Sequence, residues 1–124
     1  MKSNYRKLTA RCDGREISLP KEYVDFIGMH AEGKEMKNRF GKKSVVAVWL
    51  NEYNEMVLAN QEIIPLERTN GIVSLDNSIT VRSGTYGFVV PWIISQQYPM
   101  MGMHPKGFEV NKFEDNRLIL TPVE

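Results

Sequence analysis

The stretch of sequence that decides the fold occurs twice. Its first copy is Gly28-Met29-His30-Ala31-Glu32-Gly33-Lys34-Glu35, and its second is Gly102-Met103-His104-Pro105-Lys106-Gly107-Phe108-Glu109. Five of the eight positions are identical at an offset of 74 residues. Because self-similarity at a fixed spacing is typical of a repeated structural unit, a duplication is the first feature to be sought in the rest of the chain.

Two further blocks repeat in the same order. Upstream, Leu8-Thr9-Ala10-Arg11 matches Ile79-Thr80-Val81-Arg82 at an offset of 71, and Pro20 matches Pro91 at the same offset. Downstream, Glu52–Leu58 matches Glu114–Leu120 at an offset of 62. Three ordered blocks predict two diverged copies of one unit fused in tandem.

The offsets predict the boundaries of the two repeats. We expect a first repeat at 1–60, with an insertion at about 36–47, and a second repeat at 78–124. A connector at 61–77 lies between them. It holds Asn70-Gly71 between two apolar runs, which favours an ordered hairpin over a loose linker.

Each repeat is predicted to have the order β-β-α-β-β. Short helices are expected at Pro20–Ile27 and Pro91–Gln97, because proline favours the first turn of a helix. Gly28 is expected to end the first helix, and Pro99 to prevent continuation of the second. A glycine turn at Gly33 or Gly107 follows in each repeat. Two closing hairpins are then expected, Val45–Leu50 with Met56–Ala59, and Phe108–Phe113 with Arg117–Thr121.

Composition excludes several classes of protein. Cys12 is the only cysteine, so no disulfide can form within the chain, and a lone thiol suits a reducing cytoplasm. The opening MKSNYRKLTAR lacks the apolar run of a signal peptide, and no stretch is long enough to cross a membrane. We expect no metal site, no cofactor and no enzymatic activity, because no zinc-ligand spacing, phosphate loop or catalytic set is present.

The charges are unevenly distributed. Residues 1–43 hold 11 Lys or Arg against 6 Asp or Glu, whereas residues 44–124 hold 5 against 9. The basic first third is compatible with a surface that faces nucleic acid and equally with an unevenly charged, solvated surface.

The order of these features resembles the AbrB/MazE-like (SpoVT-AbrB) swapped-hairpin domain. The second repeat carries the closest likeness, in Gly87-Phe88-Val89-Val90-Pro91, Gly102–Val110 and Arg117-Leu118-Ile119-Leu120-Thr121-Pro122. In the first repeat the likeness lies in Glu16–Glu22, Gly28-Met29 and the closing hairpin. This chain departs from the family pattern at two places. Trp92 stands where the family commonly has a basic residue. The spacing between Gly14-Arg15 and Pro20 is one residue longer than is common in the family.

The resemblance implies a mainly β fold with two short helices, in which two repeats interlock into one small β-barrel. In the family the two units are separate chains of a homodimer; here one chain would supply both, as an intrachain pseudo-dimer, either monomeric or paired again as a homodimer. It also implies a transcriptional regulator that binds double-stranded DNA, mainly through its first strand and the loop that leads to the proline. The expected DNA-binding residues, most of them in the first repeat, are Arg6, Lys7, Arg11, Arg15, Lys21 and Arg82.

Other residues leave alternatives open. Additional phosphate contacts are expected from Lys37, Arg39, Lys42 and Lys43, although a mobile charged loop fits them equally. His30 and His104 are expected to serve turns. The alternative function is a non-catalytic protein-interaction module, antitoxin-like or inhibitory, on the same fold. Its candidate contacts are Tyr86, Phe88, Trp92 and Met100–Met103.

Overall fold

A computed structural model describes residues 4–11, 14–63 and 68–124. Within them the chain is mainly β, with open antiparallel sheets and short helices, which confirms the predicted class. The strands are β1 Tyr5–Lys7, β2 Thr9–Arg11, β3 Gly14–Leu19, β4 Met29–Glu32, β5 Glu35–Asn38, β6 Val46–Asn51, β7 Met56–Asn60, β8 Thr69–Asn77, β9 Ile79–Arg82, β10 Thr85–Val89, β11 Gly107–Phe113 and β12 Arg117–Val123. The helices are α1 Lys21–Phe26, α2 Trp92–Ser95 and α3 Gln97–Met100.

A four-stranded sheet joins the two regions that the sequence matches at an offset of 71. Its order is β2-β3-β10-β9, so the hairpin β2–β3 pairs with the hairpin β9–β10 through the central strands. At the centre of that pairing Ile17 lies directly opposite Phe88, its counterpart at the offset of 71. Neither side chain is exposed.

A six-stranded sheet has the order β1-β11-β12-β7-β6-β8. Its centre is the pairing of β7 with β12, where Val57 lies opposite Ile119, its counterpart at the offset of 62. Strand β1 pairs with β11, and β8 pairs with β6. Strand β1 therefore joins a hairpin about 100 residues downstream, whereas β8 joins the hairpin that precedes it in the chain. The two closing hairpins, β6–β7 and β11–β12, lie where the sequence predicted them.

The main core lies between these two sheets. One cluster of buried side chains includes Ile17 and Phe88 from the four-stranded sheet and Leu58, Leu118 and Leu120 from the six-stranded sheet. The six-stranded sheet is also apolar on its other face. There a smaller cluster contains Ala47, Trp49, Val57 and Ala59. All residues of β7 are consequently buried.

The helices follow the predicted prolines, with one correction. Pro20 is the N-cap of α1, and Gly28, with φ 80°, stands just after its C-cap and ends it as predicted. The prediction that Pro99 prevents continuation is wrong, because Pro99 lies inside α3. It occupies the first turn, where the N–H that proline lacks would have no partner within the helix. No helix of the described residues is long and apolar enough to span a membrane.

The connector differs from its prediction. Asn70 and Gly71 do not form a hairpin turn; both lie within the single strand β8. Between Trp49 and Asn51 the pairing with β8 shifts register, and Gly71 there adopts φ 97°. The Asn-Gly pair thus accommodates a β-bulge, because β8 pairs with β6 on both sides of it, at Thr69 and at Val73. The first of the two apolar runs extends into 64–67, outside the described residues.

The predicted insertion begins within a small hairpin. Strands β4 and β5 pair around a turn at Gly33, as predicted, whereas Gly107 begins β11 rather than forming a turn. Beyond β5, the Asn38 side-chain oxygen accepts hydrogen bonds from the backbone N–H groups of Phe40 and Lys42, which shapes the following turn. This hairpin packs against β9, the edge of the four-stranded sheet.

Candidate nucleic-acid interface

The surface of interest is the face of the four-stranded sheet that points away from the core, called here the outward face. Side chains alternate along a strand, so the residues beside the buried Ile17 and Phe88 point to this face. Besides one carboxylate and Val89, which lies opposite it, the described residues that this face carries are small, hydroxyl-bearing or basic. They include Thr9, Arg11, Ser18, Thr80, Arg82 and Thr85.

The carboxylate on the outward face is Glu16, which lies between two arginines. Its Oε2 lies 2.5 Å from Nη1 of Arg11 and 3.5 Å from Nη2 of Arg82. These arginines are counterparts at the offset of 71, one on each edge strand. Glu16 itself is only 7% exposed. The arrangement places two cations and one anion on this face, with a net charge of +1.

The space for Glu16 is left by a glycine. At the offset of 71 its counterpart is Gly87. A Cβ at Gly87 would lie 2.5 Å from Oε2 of Glu16, so the carboxylate occupies the position that a larger residue would fill. A single carboxylate therefore pairs with both arginines. The outward face is not symmetric, because the position equivalent to Glu16 holds a glycine.

Four of the six predicted DNA-binding residues lie elsewhere. Arg6 and Lys7 belong to β1 in the six-stranded sheet, and Nε of Arg6 is buried without a hydrogen-bond partner among the described residues. Arg15 alternates with Glu16 and so points to the other side of β3, where its Nη2 donates to the Leu8 carbonyl at 3.2 Å.

Lys21 lies in the first turn of α1 and forms an ion pair with Asp25 at 2.8 Å. The hydrogen bond to Asp25 raises the pKa of Lys21, so the amine stays charged. The structure therefore brings together Arg11 and Arg82 and distributes the other four residues over separate surfaces.

The second predicted basic group surrounds the turn after β5. Lys37 pairs with Glu35 at 2.9 Å, and the Arg39 guanidinium lies 4.9 Å from the centre of the Phe40 ring. Lys42 and Lys43 are exposed. Because β5 packs against β9, the strand that carries Arg82, this turn adds cations beside the Arg82 end of the outward face.

Sequence reasoning missed Glu16 as a member of the site. Its partner Arg82 follows it by 66 residues, and the two come together because β10 pairs with β3 on one side and with β9 on the other. The matched positions of Arg11 and Arg82 were the available signal, since counterparts in paired hairpins approach one another.

The two matched histidines lie in different surroundings. His30 lies in β4 with Nε2 3.1 Å from Glu32, and His104 lies in the loop before β11. Among the described residues, no three His, Cys, Asp or Glu side chains are grouped so as to hold a metal ion. Cys12 lies outside the described residues.

No protein-family model, curated protein or solved structure matches this chain. The arrangement of residues on the outward face is therefore the basis for a functional proposal.

Proposed function

We propose that this chain is a non-catalytic DNA-binding protein, a transcriptional regulator, that holds double-stranded DNA against the outward face. The observation that carries the proposal is the pair Arg11 and Arg82, matched in sequence and joined through Glu16. Guanidinium groups bind phosphates and guanine edges with two parallel hydrogen bonds. The surrounding hydroxyl groups of Thr9, Ser18 and Thr80 suit contacts with the DNA backbone.

We further propose that the two repeats form an intrachain pseudo-dimer of the swapped-hairpin kind. A local two-fold axis through an antiparallel pair places equivalent residues directly opposite one another. Both central pairings fit this relation, with Ile17 opposite Phe88 and Val57 opposite Ile119. The outer strands fit it too, because β1 pairs with the hairpin of the second repeat and β8 with the hairpin of the first.

A DNA shift assay over a series of salt concentrations tests the proposed function. Binding through phosphates should weaken with a log–log slope of about −0.9 for each contact. Arg11→Gln should flatten that slope by about one unit. Arg68→Gln is the matched control, because Arg68 lies beside a cleft on the far face of the six-stranded sheet and is absent from the outward face. Salt-independent binding, or none, would contradict the proposal.

The same assay tests whether the two ends of the outward face contribute unequally. Although Arg6 and Lys7 lie in the six-stranded sheet, they add positive charge to the chain just before Arg11, whereas Asp76 precedes the strand of Arg82. We therefore expect Arg11→Gln to weaken binding more than Arg82→Gln. The preferred DNA site should then not be a strict palindrome unless two chains associate. Equal losses from the two substitutions at one salt concentration would contradict the asymmetry.

A second candidate function is protein binding, and an exposed apolar surface supports it. Trp92 is 76% exposed and Met100 is 77% exposed, and α2 packs beside β8, where Leu75 is also exposed. Phe88 was expected to contribute, but that prediction is wrong because the side chain lies at the centre of the core. Pull-down with Trp92→Ala as the comparison would separate this function from DNA binding.

A further inference from the structure

A second basic surface lies inside a cleft, on the other side of β3 from the outward face. The cleft has a volume of about 360 Å³ and opens between the start of β3, the helices α2 and α3, and the loop that precedes β11. Three of its wall residues carry basic groups, Arg15, His104 and Lys106. These three basic groups face one concave site, and none of them belongs to the proposed DNA interface.

The cleft contains no compensating acid among the described residues that line it. Arg15 donates one hydrogen bond to the Leu8 carbonyl and forms no ion pair with a carboxylate of the described residues. Its situation contrasts with that of Arg11 and Arg82, which share Glu16 on the outward face. The remaining N–H groups of Arg15 therefore suit an anion from outside the chain.

Apolar groups form the rest of the wall. Leu8, Val90 and Phe108 are buried residues at the cleft, and the Phe108 ring packs edge-to-face on Tyr98 with 5.8 Å between ring centres. An apolar wall opposite fixed cations favours a ligand with an anionic head and an apolar body over a simple inorganic ion. The volume lies at the small end of the ~300–1,000 Å³ range of ligand pockets.

We infer that this cleft binds a small organic anion, a carboxylate or phosphate monoester attached to an aromatic ring or short aliphatic chain. Arg15 and Lys106 bind the anionic group, and Leu8, Val90 and Phe108 pack against the apolar part. Binding of such a ligand does not depend on DNA binding. A wild-type chain that fails to bind DNA leaves this inference standing.

Titration of the isotope-labelled full chain with benzoate and with phenyl phosphate, followed by NMR, tests the site. Both probes should shift the backbone amide signals of Arg15, Ser95 and Lys106 in a saturable way. Benzamide is the neutral control and should leave these signals unchanged at the same concentrations. Shifts of equal size with benzamide would overturn the role of the cations. Inorganic phosphate binding as tightly as phenyl phosphate would overturn the role of the apolar wall.

Two variants identify the groups that bind the anion. Arg15→Gln and Lys106→Gln together should weaken both probes by about tenfold or more, since each removes a charge-assisted contact. Arg68→Gln removes a cation outside both the cleft and the outward face and should leave the affinity unchanged. If the double variant loses its folded spectrum, Lys106→Gln alone replaces it, because this exposed side chain makes no described hydrogen bond. Unchanged affinity in a folded variant would overturn the inference.

Discussion

Tyr98 is a residue whose burial has a cost that the fold does not offset. It is 2% exposed, and its hydroxyl has no hydrogen-bond partner in the described part of the chain. A buried donor left without a partner costs about 1–3 kcal/mol. Burial, with a smaller contribution from Glu55, raises the pKa of the Tyr98 hydroxyl above its ordinary value of 10.0.

We predict that Tyr98→Phe is as stable as the wild type at neutral pH, or more so, and differs most at high pH. Above pH 10 an unfolded chain releases the tyrosine proton that the folded chain retains, so the free energy of unfolding falls as pH rises. In Tyr98→Phe, which lacks the hydroxyl, the free energy of unfolding should fall less steeply with pH. Urea unfolding from pH 8 to 11 measures this pH dependence. Tyr53→Phe, at a position 74% exposed, is the control, and an equal effect there would contradict the prediction.

At the scale of elements, two glycines permit close approaches of different kinds. A Cβ at Gly107 in β11 would lie 2.4 Å from the carbonyl oxygen of Arg6 in β1, whose backbone is held by strand pairing. A Cβ at Gly87 would instead meet the end of the Glu16 side chain. Backbone cannot move without loss of the pairing, whereas a carboxylate can rotate.

Gly107→Ala should therefore destabilise the protein more than Gly87→Ala. We expect a cost of about 1–3 kcal/mol at Gly107, as for other overpacked sites, and a smaller one at Gly87. Midpoints of urea unfolding, compared at equal slope, provide the measurement. The Gly87 variant should also displace Glu16 from Arg11 and Arg82 and so alter DNA binding. Equal losses of stability in the two variants would mean that the β1 backbone shifts as easily as the Glu16 side chain, which would contradict the prediction.

Elements were predictable from sequence where local signals agree with the pairing that forms. The closing hairpins combine β-rich runs with turn residues such as Asn54 and Asn116, both of which adopt positive φ. The ends of the strands in these hairpins were predicted to within two residues. Strand β1 was not predicted, because three residues of ordinary β tendency pair only through a partner about 100 residues away. The Asn70-Gly71 pair misled for a related reason, since pairing of β8 with β6 overrode its local turn preference.

The candidate site was predictable to a similar extent. The matched positions of Arg11 and Arg82 identified the residues that the outward face brings together. The resemblance grouped Arg15 with them, as a residue of the loop that leads to the proline, but Arg15 lies in β3, where neighbouring residues point to opposite sides. Its place in a cleft with Lys106 depends on a loop more than 90 residues downstream, for which no local pattern exists.

At the scale of the whole molecule, neither of the two larger sheets lies within one predicted repeat. The central pairings, β3 with β10 and β7 with β12, each join one strand from either side of the connector. Alone, each part would retain mainly two-stranded hairpins, which are marginal in water. Its share of the core, including Ile17 or Phe88, would be exposed. We therefore expect the stability of the chain to depend on the strand pairing between its two parts.

Residues 1–63 and 68–124, expressed separately, should each lack cooperative unfolding, and an equimolar mixture should recover it. The mixture regains both central pairings at the cost of bringing two chains together, so its stability should rise with protein concentration. Phe88→Ala in the second part removes a fully buried ring, at a cost of about 3–5 kcal/mol, and should prevent recovery. Thr80→Ala, on the exposed outward face, should not. Cooperative thermal unfolding of either part alone, at a midpoint independent of concentration, would show that one repeat forms its own core and that the two are not interlocked.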